Sequence, residues 1–161
     1  MNQKNKKSTE LNKFLIISLT AVGILLLDQL TKLAVIKNME LLQSIPVLQN
    51  ILHLTYIQNT GAGFGLFSQS TRLLIWFSII VIGLIFYFYE AIPDNKCMQL
   101  SIAAILGGAI GNLIDRIKLG YVIDFIDFKI WPAFNIADMA IVIGVISIAI
   151  FIIKKEIKEK K

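Results

Sequence analysis

The whole chain holds a single cysteine, Cys97, and a single histidine, His53. One cysteine excludes an intramolecular disulfide, and its neighbours Asp94-Asn95-Lys96 offer no metal-ligating partner. One histidine with no second histidine or adjacent cysteine excludes a zinc site of the usual kind. Cys97 therefore reads as an incidental thiol and His53 as a strand residue. The glycine-rich segment Asn59-Thr-Gly-Ala-Gly-Phe-Gly65 lacks the lysine of a phosphate loop and sits in no βαβ unit. Neither a Cys–His pair nor a serine with a base motif is present, so nucleophilic hydrolysis lacks its usual groups. Charge of either sign is sparse between the ends. The net charge of +5 comes from Lys4, Lys6, Lys7 and Lys13 before the first apolar run and from Lys154, Lys155, Lys158, Lys160 and Lys161 after the last. A nucleic-acid partner would need a basic face with stacking aromatics or groove-reading side chains; none is supplied, and no nucleic acid is expected.

What the chain has in abundance is apolar residues, 56% of the total, too many for an ordinary soluble domain of this size. Four apolar runs, at about residues 14–36, 73–89, 98–114 and 138–153, predict an all-α integral membrane fold forming one domain over 1–161. A basic segment followed by Phe14–Leu27 has the look of a secretory signal peptide. However, no small-residue cleavage site follows, and the run continues through Asp28-Gln-Leu-Thr-Lys32 to Ile36, so it is expected to be retained. The stretches 37–72 and 115–137 are mixed in character. Ile51–Gln58 is rich in β-branched and aromatic residues, which predicts a strand or two lying at the membrane surface.

Four spans put both lysine-rich ends on one side, which the positive-inside rule makes cytoplasmic. Both mixed loops then share the outer side. Asp28, the glycine segment, Asn112, Asp115, Arg116, Asp124, Asp127, Asn135 and Asp138 all fall at one membrane boundary although they are far apart in sequence. An ionisable side chain at the mouth of an apolar span is costly to keep and signals function. Two carboxylates sharing a site cannot both ionise freely, which leaves one base and one acid. That is the equipment for hydrolysis by an activated water, with no metal and no cofactor. Blander readings compete: Asp138 as a helix cap, Asp28–Lys32 and Asp115–Arg116 as ion pairs, and Gly107, Gly108 and Gly111 as a bare packing face. Spacing leaves Asp124 and Asp127 as alternatives for the first carboxylate. An extended segment puts them on opposite faces, with Asp127 expected to face solvent.

Asp28-Gln-Leu-Thr-Lys32, Asn59-Thr-Gly-Ala-Gly-Phe, Gly108-Ala-Ile-Gly-Asn112-Leu-Ile-Asp-Arg116, Val122-Ile-Asp-Phe125 and Phe134-Asn-Ile-Ala-Asp138 occur in one order. In that order the chain, from about residue 14 to 153, resembles the bacterial lipoprotein signal peptidases (signal peptidase II). The resemblance implies four transmembrane helices with a small extracytoplasmic β-cradle formed by the two long loops, in the cell (inner) membrane, with both termini cytoplasmic. It implies an aspartic endopeptidase that cuts diacylglycerated prolipoproteins just before the lipid-modified lipobox cysteine, with membrane lipids as surroundings and a monomer as the simplest oligomeric state. By motif it makes Asp124 and Asp138 the catalytic pair, and Asp28, Lys32, Asn59, Gly108, Asn112, Arg116 and Asn135 substrate-binding or supporting residues. The interval between the two catalytic motifs is a few residues shorter than the family pattern. The rival readings are a proton-coupled transporter, which would carry charges near mid-membrane in more than one helix, and a lipopeptide-binding chaperone, which would bind without cleaving.

Overall fold

The computed structural model describes residues 3–61 and 70–160; Ala62–Gly65 of the glycine-rich segment lie outside them. Four α-helices carry most of the chain: α1 (Gln3–Asn38), α2 (Thr71–Tyr87), α3 (Lys96–Leu119) and α4 (Ile136–Glu159). A 3-10 turn, Tyr89–Ala91, follows α2. Within α1 the segment Lys7–Asn38 is long and apolar enough to cross a membrane, as are α3 and α4; α2, at 17 residues, is a shorter apolar helix. Three of these helices run beyond their apolar stretches for local reasons. α1 and α4 extend into their lysine-rich flanks, because lysine is a good helix former once a nucleus exists. α3 does not end at Asn112–Arg116 as expected. It continues to Leu119 and stops where Gly120 takes a left-handed φ of +83° and donates its N–H to the Arg116 carbonyl at 3.2 Å, a glycine C-terminal cap. Asn112, Asp115 and Arg116 therefore sit on the last turns of a helix instead of at its end.

Three strands form one antiparallel sheet in the order β1 (Ser44–Leu48), β2 (Leu52–Asn59) and β3 (Val122–Asp127). β1 and β2 come from the first mixed stretch and β3 from the second. The β2–β3 register sets Ile57 opposite Asp124 and Asn59 opposite Val122. Beyond β3 the chain reverses, and Phe134 returns to bridge Ile126.

α3 is the central helix, packed against α1, α4 and α2. Ile17, Ala21, Met98, Ala103 and Leu106 form the core between α1 and α3. A second cluster, Val35, Tyr56, Ile123 and Phe125, fastens the sheet to the end of α1. Leu19, Leu26, Ile80 and Ile150 are exposed on the outside of the helices, as lipid-facing side chains are. The close approach of helices depends on α3 glycines: a Cβ on Gly108 would lie 2.5 Å from the Ala137 carbonyl oxygen of α4, and one on Gly111 would lie 2.5 Å from Asp28 Oδ2 of α1. Both distances are below any real contact, so a Cβ would force the α4 backbone away at Gly108 and the buried Asp28 carboxylate away at Gly111. Gly108→Ala is expected to lower the melting temperature in detergent by roughly 2–10 °C, as overpacking does. Gly23→Ala, where a Cβ meets nothing within 4 Å, should leave it unchanged; equal effects of the two would contradict the packing role.

Candidate active site

Sequence places Asp28 and Lys32 one turn apart on α1, and the fold buries both: Asp28 is 0% exposed and Lys32 2%. A lone buried ammonium is prohibitive, and the site resolves this by giving it two carboxylates. Lys32 Nζ lies 2.8 Å from Asp28 Oδ2 and 2.9 Å from Asp115 Oδ2 of α3. Each carboxylate then accepts one backbone N–H from another element. Asp28 Oδ1 takes the N–H of Ala137 at 2.9 Å, and Asp115 Oδ2 takes that of Ile123 at 3.3 Å. Ala137 immediately precedes Asp138, and Ile123 immediately precedes Asp124. One lysine thus fixes, through two carboxylates, the backbone next to both candidate catalytic residues. Gln29 closes the frame, its amide donating to Asp115 Oδ1 at 2.9 Å and to Asp28 and the Gly111 carbonyl at longer range.

Lys32 has a third partner, the side-chain oxygen of Asn112, at 2.9 Å. That contact orients the amide, so its NH2 points away from the lysine and donates to Asp138 Oδ1 at 2.7 Å. Asn135 is oriented the same way from the other direction. Its oxygen caps α4 by accepting the Asp138 N–H at 2.9 Å, so its NH2 is free to donate to Asp124 Oδ1 at 2.7 Å and to Asn112 Oδ1 at 3.2 Å. Asp138 Oδ2 accepts the Asn135 N–H in return at 3.2 Å, completing a capping box. Asn59, at the end of β2, donates its amide to Asp124 Oδ2 at 2.8 Å while its oxygen holds the Gly61 N–H. Capping and active-site placement were alternatives for Asp138 on sequence grounds. In the fold the same carboxylate does both.

Asp124 and Asp138 open onto one groove of about 550 Å³, walled by Arg116 from α3, by Trp131 and Phe134 from the segment after β3, and by Met139, Val142 and Ile143 along α4. Asp124 is 2% exposed. Burial, and then the nearby charge of Asp138, push its carboxyl up to about 7, against the opposing pull of the Asn59 and Asn135 hydrogen bonds and of Lys32. Arg116 reaches the Gly61 carbonyl at 3.5 Å, and its Nε has no partner among the described residues.

Two expectations are corrected. Asp115 does not pair with Arg116 but with Lys32, because successive helical residues point apart and only Lys32 lies on Asp115's side. Asp127 does not face solvent. It is 8% exposed and lies in a separate polar cluster, accepting from Thr55 Oγ1 at 2.7 Å and Lys129 Nζ at 2.6 Å. Burial raises its pKa, but the Lys129 and Thr55 hydrogen bonds outweigh this and hold it below the ordinary carboxylate range. The bare glycine face of α3 serves close helix packing, as expected: Gly107 lies against Ala21 of α1 and Gly108 against Ala137 of α4. Gln29 and the groove wall of Trp131–Phe134 went unassigned by sequence reasoning. Gln29 adjoins Asp28 in a polar pocket of an otherwise apolar run, and that was the available signal.

A family model described as signal peptidase (SPase) II matches residues 20–154, and that match covers every residue of the frame and of the groove. The chain belongs to the signal peptidase II family. The lipoprotein signal peptidase of Moorella thermoacetica is 46% identical over 129 residues, covering 80% of this chain and 86% of that protein. That of Halothermothrix orenii is 42% identical over 133 residues, covering 83% and 92%. Among solved structures, a bacterial membrane enzyme determined by the in meso method at 2.3 Å superposes with a TM-score of 0.82 at 36% identity, over 87% of this chain and 88% of that one. This signal peptidase II family member is accordingly a protease and an integral membrane protein, mostly helical with a small antiparallel sheet.

Lys32→Met leaves two buried carboxylates facing each other without a cation. It is expected to cost about 3–5 kcal/mol, read as loss of folded protein in detergent melting, and the triple variant with Asp28→Asn and Asp115→Asn should recover part of that loss. A Lys32→Met protein as stable as the parent would contradict the frame.

Proposed function

We propose that this enzyme removes the signal peptide from diacylglycerated prolipoproteins, cutting before the lipid-modified cysteine with a water activated by Asp124 and Asp138. One observation carries the reading: two carboxylates from different elements face one groove and are tied together through the Asn135 and Asn112 amides. Asp124, deeply buried and with its pKa lifted to about 7, keeps a proton up to near-neutral pH and is the acid. Asp138, at the mouth of α4, is the base. It takes a proton from water as the oxygen attacks the scissile carbonyl, while Asp124 gives its proton to the carbonyl oxygen. Asp138 then passes the proton it took from water to the departing nitrogen while Asp124 recovers one from a hydroxyl of the gem-diol. The C–N bond breaks, leaving a carboxylic acid on the signal peptide and a free amine on the lipidated cysteine.

The groove suits such a substrate. Its α4 wall of Met139, Val142 and Ile143 is apolar and descends along a membrane-crossing helix, a surface for acyl chains. The sheet side offers a bed for extended peptide. In this reading four helices span the membrane, including the shorter α2, with both lysine-rich termini on the cytoplasmic side and the sheet at the outer face as a cradle. The transporter reading is disfavoured because Asp28, Lys32, Asp115 and Asp138, from α1, α3 and α4, gather at one end of the bundle in one hydrogen-bonded cluster, while Lys13, the other buried charge on these helices, lies near the start of α1 and pairs with Glu10.

The test is incubation of purified protein with a diacylglycerated precursor, followed by intact-mass measurement. The expected product begins at the lipidated cysteine. Asp124→Asn and Asp138→Asn should each lower turnover by about 10³-fold or more while the protein still inserts and folds; full cleavage by either sinks the pair assignment. The pH dependence has a definite sign. Because the Asp124 carboxyl is raised, the singly protonated pair survives up to about pH 7 and loses its proton above that. kcat/KM should therefore fall as pH rises through about 7, approaching tenfold per unit, and a rate still climbing at pH 9 would contradict the assignment of Asp124 as the acid.

A further inference from the structure

Between β3 and α4 the chain must leave the sheet, turn, and come back to line the groove. The turn is made at Lys129, a residue with a Cβ that nonetheless takes a left-handed φ of +62°, a conformation that costs a side-chain-bearing residue energy. Asp127 sits two residues earlier and engages Lys129 twice: Oδ1 accepts its backbone N–H at 2.9 Å, and Oδ2 accepts its ammonium at 2.6 Å. The same Oδ2 accepts from Thr55 Oγ1 at 2.7 Å, and Thr55 Oγ1 lies 2.8 Å from Ser44 Oγ, which in turn contacts His53 Nδ1 at 3.1 Å. Lys129 Nζ also donates to Ser44 Oγ at 3.2 Å. A polar chain thus runs across all three strands and ends on the turn.

What the turn controls is the returning leg. Phe134 is pinned to Ile126 by two backbone hydrogen bonds of 2.8 and 3.0 Å, and its ring stacks on Phe128 with centroids 6.0 Å apart. Between the turn and that pin lie Trp131, Pro132 and Ala133, which line the groove. Asp124 and Asp127 project from opposite faces of the same strand. One face carries the chemistry, and the other carries the clasp that aims the groove's rim.

We infer that Asp127 is a positioning residue for substrate binding: by clasping Lys129 it holds the 128–134 turn and so sets the fit of the precursor in the groove, without taking part in bond cleavage. The inference rests on the proposed function, since it concerns the same groove. A merely structural residue would alter stability alone, and a catalytic one would alter kcat; a rim-positioning residue alters KM.

The experiment measures kcat and KM for the diacylglycerated precursor, together with melting in detergent. A second arm measures binding of uncleaved precursor to the Asp124→Asn background. Asp127→Ala is expected to raise KM about tenfold with kcat within about twofold, and to weaken binding in the Asp124→Asn background by a similar factor. Asp127→Asn keeps the Oδ1 acceptor for the Lys129 N–H and should show a smaller rise, which serves if the alanine variant does not fold. Asp127→Ala combined with Lys129→Gly, where glycine takes a positive φ without strain, should recover at least half of the lost binding. A fall in kcat at unchanged KM, no change in either, or a KM left at the single-variant value in the double variant would each overturn the inference. A parent protein that fails to cleave sinks the proposed function instead, so the two failures are distinguishable.

Discussion

The ammonium of Lys32 is the interaction on which the rest of the site depends. It is buried inside an apolar bundle where an unpaired charge could not persist, and it draws Asp28 of α1 and Asp115 of α3 onto itself. Besides the Gln29 amide, those two carboxylates accept the N–H groups of Ala137 and Ile123. The consequence is that helix α4 and strand β3, which join the bundle from different parts of the chain, are registered to a common point one residue before Asp138 and Asp124. Glycine at 111 belongs to the same design, because a Cβ there would lie 2.5 Å from Asp28 Oδ2 and displace that carboxylate.

The second layer is a matter of amide orientation. Asn112 and Asn135 each have their oxygen committed, one to Lys32 and one to the start of α4. Each NH2 is therefore obliged to face a carboxylate. Donors aimed in advance at the groove carboxylates need no rearrangement when charge moves during the reaction, which is the economy of a preorganised site. Burial of Asp124 and the proximity of Asp138 act against these donors, and the balance leaves Asp124 titrating near neutrality instead of in the ordinary carboxylate range. A pair in that condition can supply an acid and a base together.

Much of this was legible in the sequence, and the parts that were not share a cause. The apolar runs disclose the helices because hydrophobic length is a direct requirement of a membrane, and the polar residues that the runs leave between them are the ones the fold gathers at one end of α1, α3 and α4. Asp28 and Lys32 declare themselves by i,i+4 spacing. Helix ends were less legible: α3 was expected to stop at its polar residues, but Asn112, Asp115 and Arg116 point into the bundle or the groove, and only Gly120 ends the helix. The partner of Asp115 was misassigned to its chain neighbour Arg116, since the competing cation, Lys32, is distant in sequence and near only in the fold. Asp127 was expected in solvent because the clasp with Lys129 and Thr55 requires knowing that β2 and β3 are neighbours. Choosing Asp124 over Asp127 rested on resemblance. The geometry supplies a physical distinction, with Asp124 on the groove and Asp127 tied to the opposite face of the sheet.

The claim at the centre of this account is that the frame holds a carboxylate pair which keeps one proton to near-neutral pH. The most direct measurement is a carbon-13 NMR titration of aspartate carboxyls in the purified, detergent-solubilised protein. The account predicts one carboxyl signal titrating near pH 7 that disappears in Asp124→Asn and shifts in Asp138→Asn. Every aspartate titrating below about pH 5, or a near-neutral signal that survives in Asp124→Asn, would contradict it.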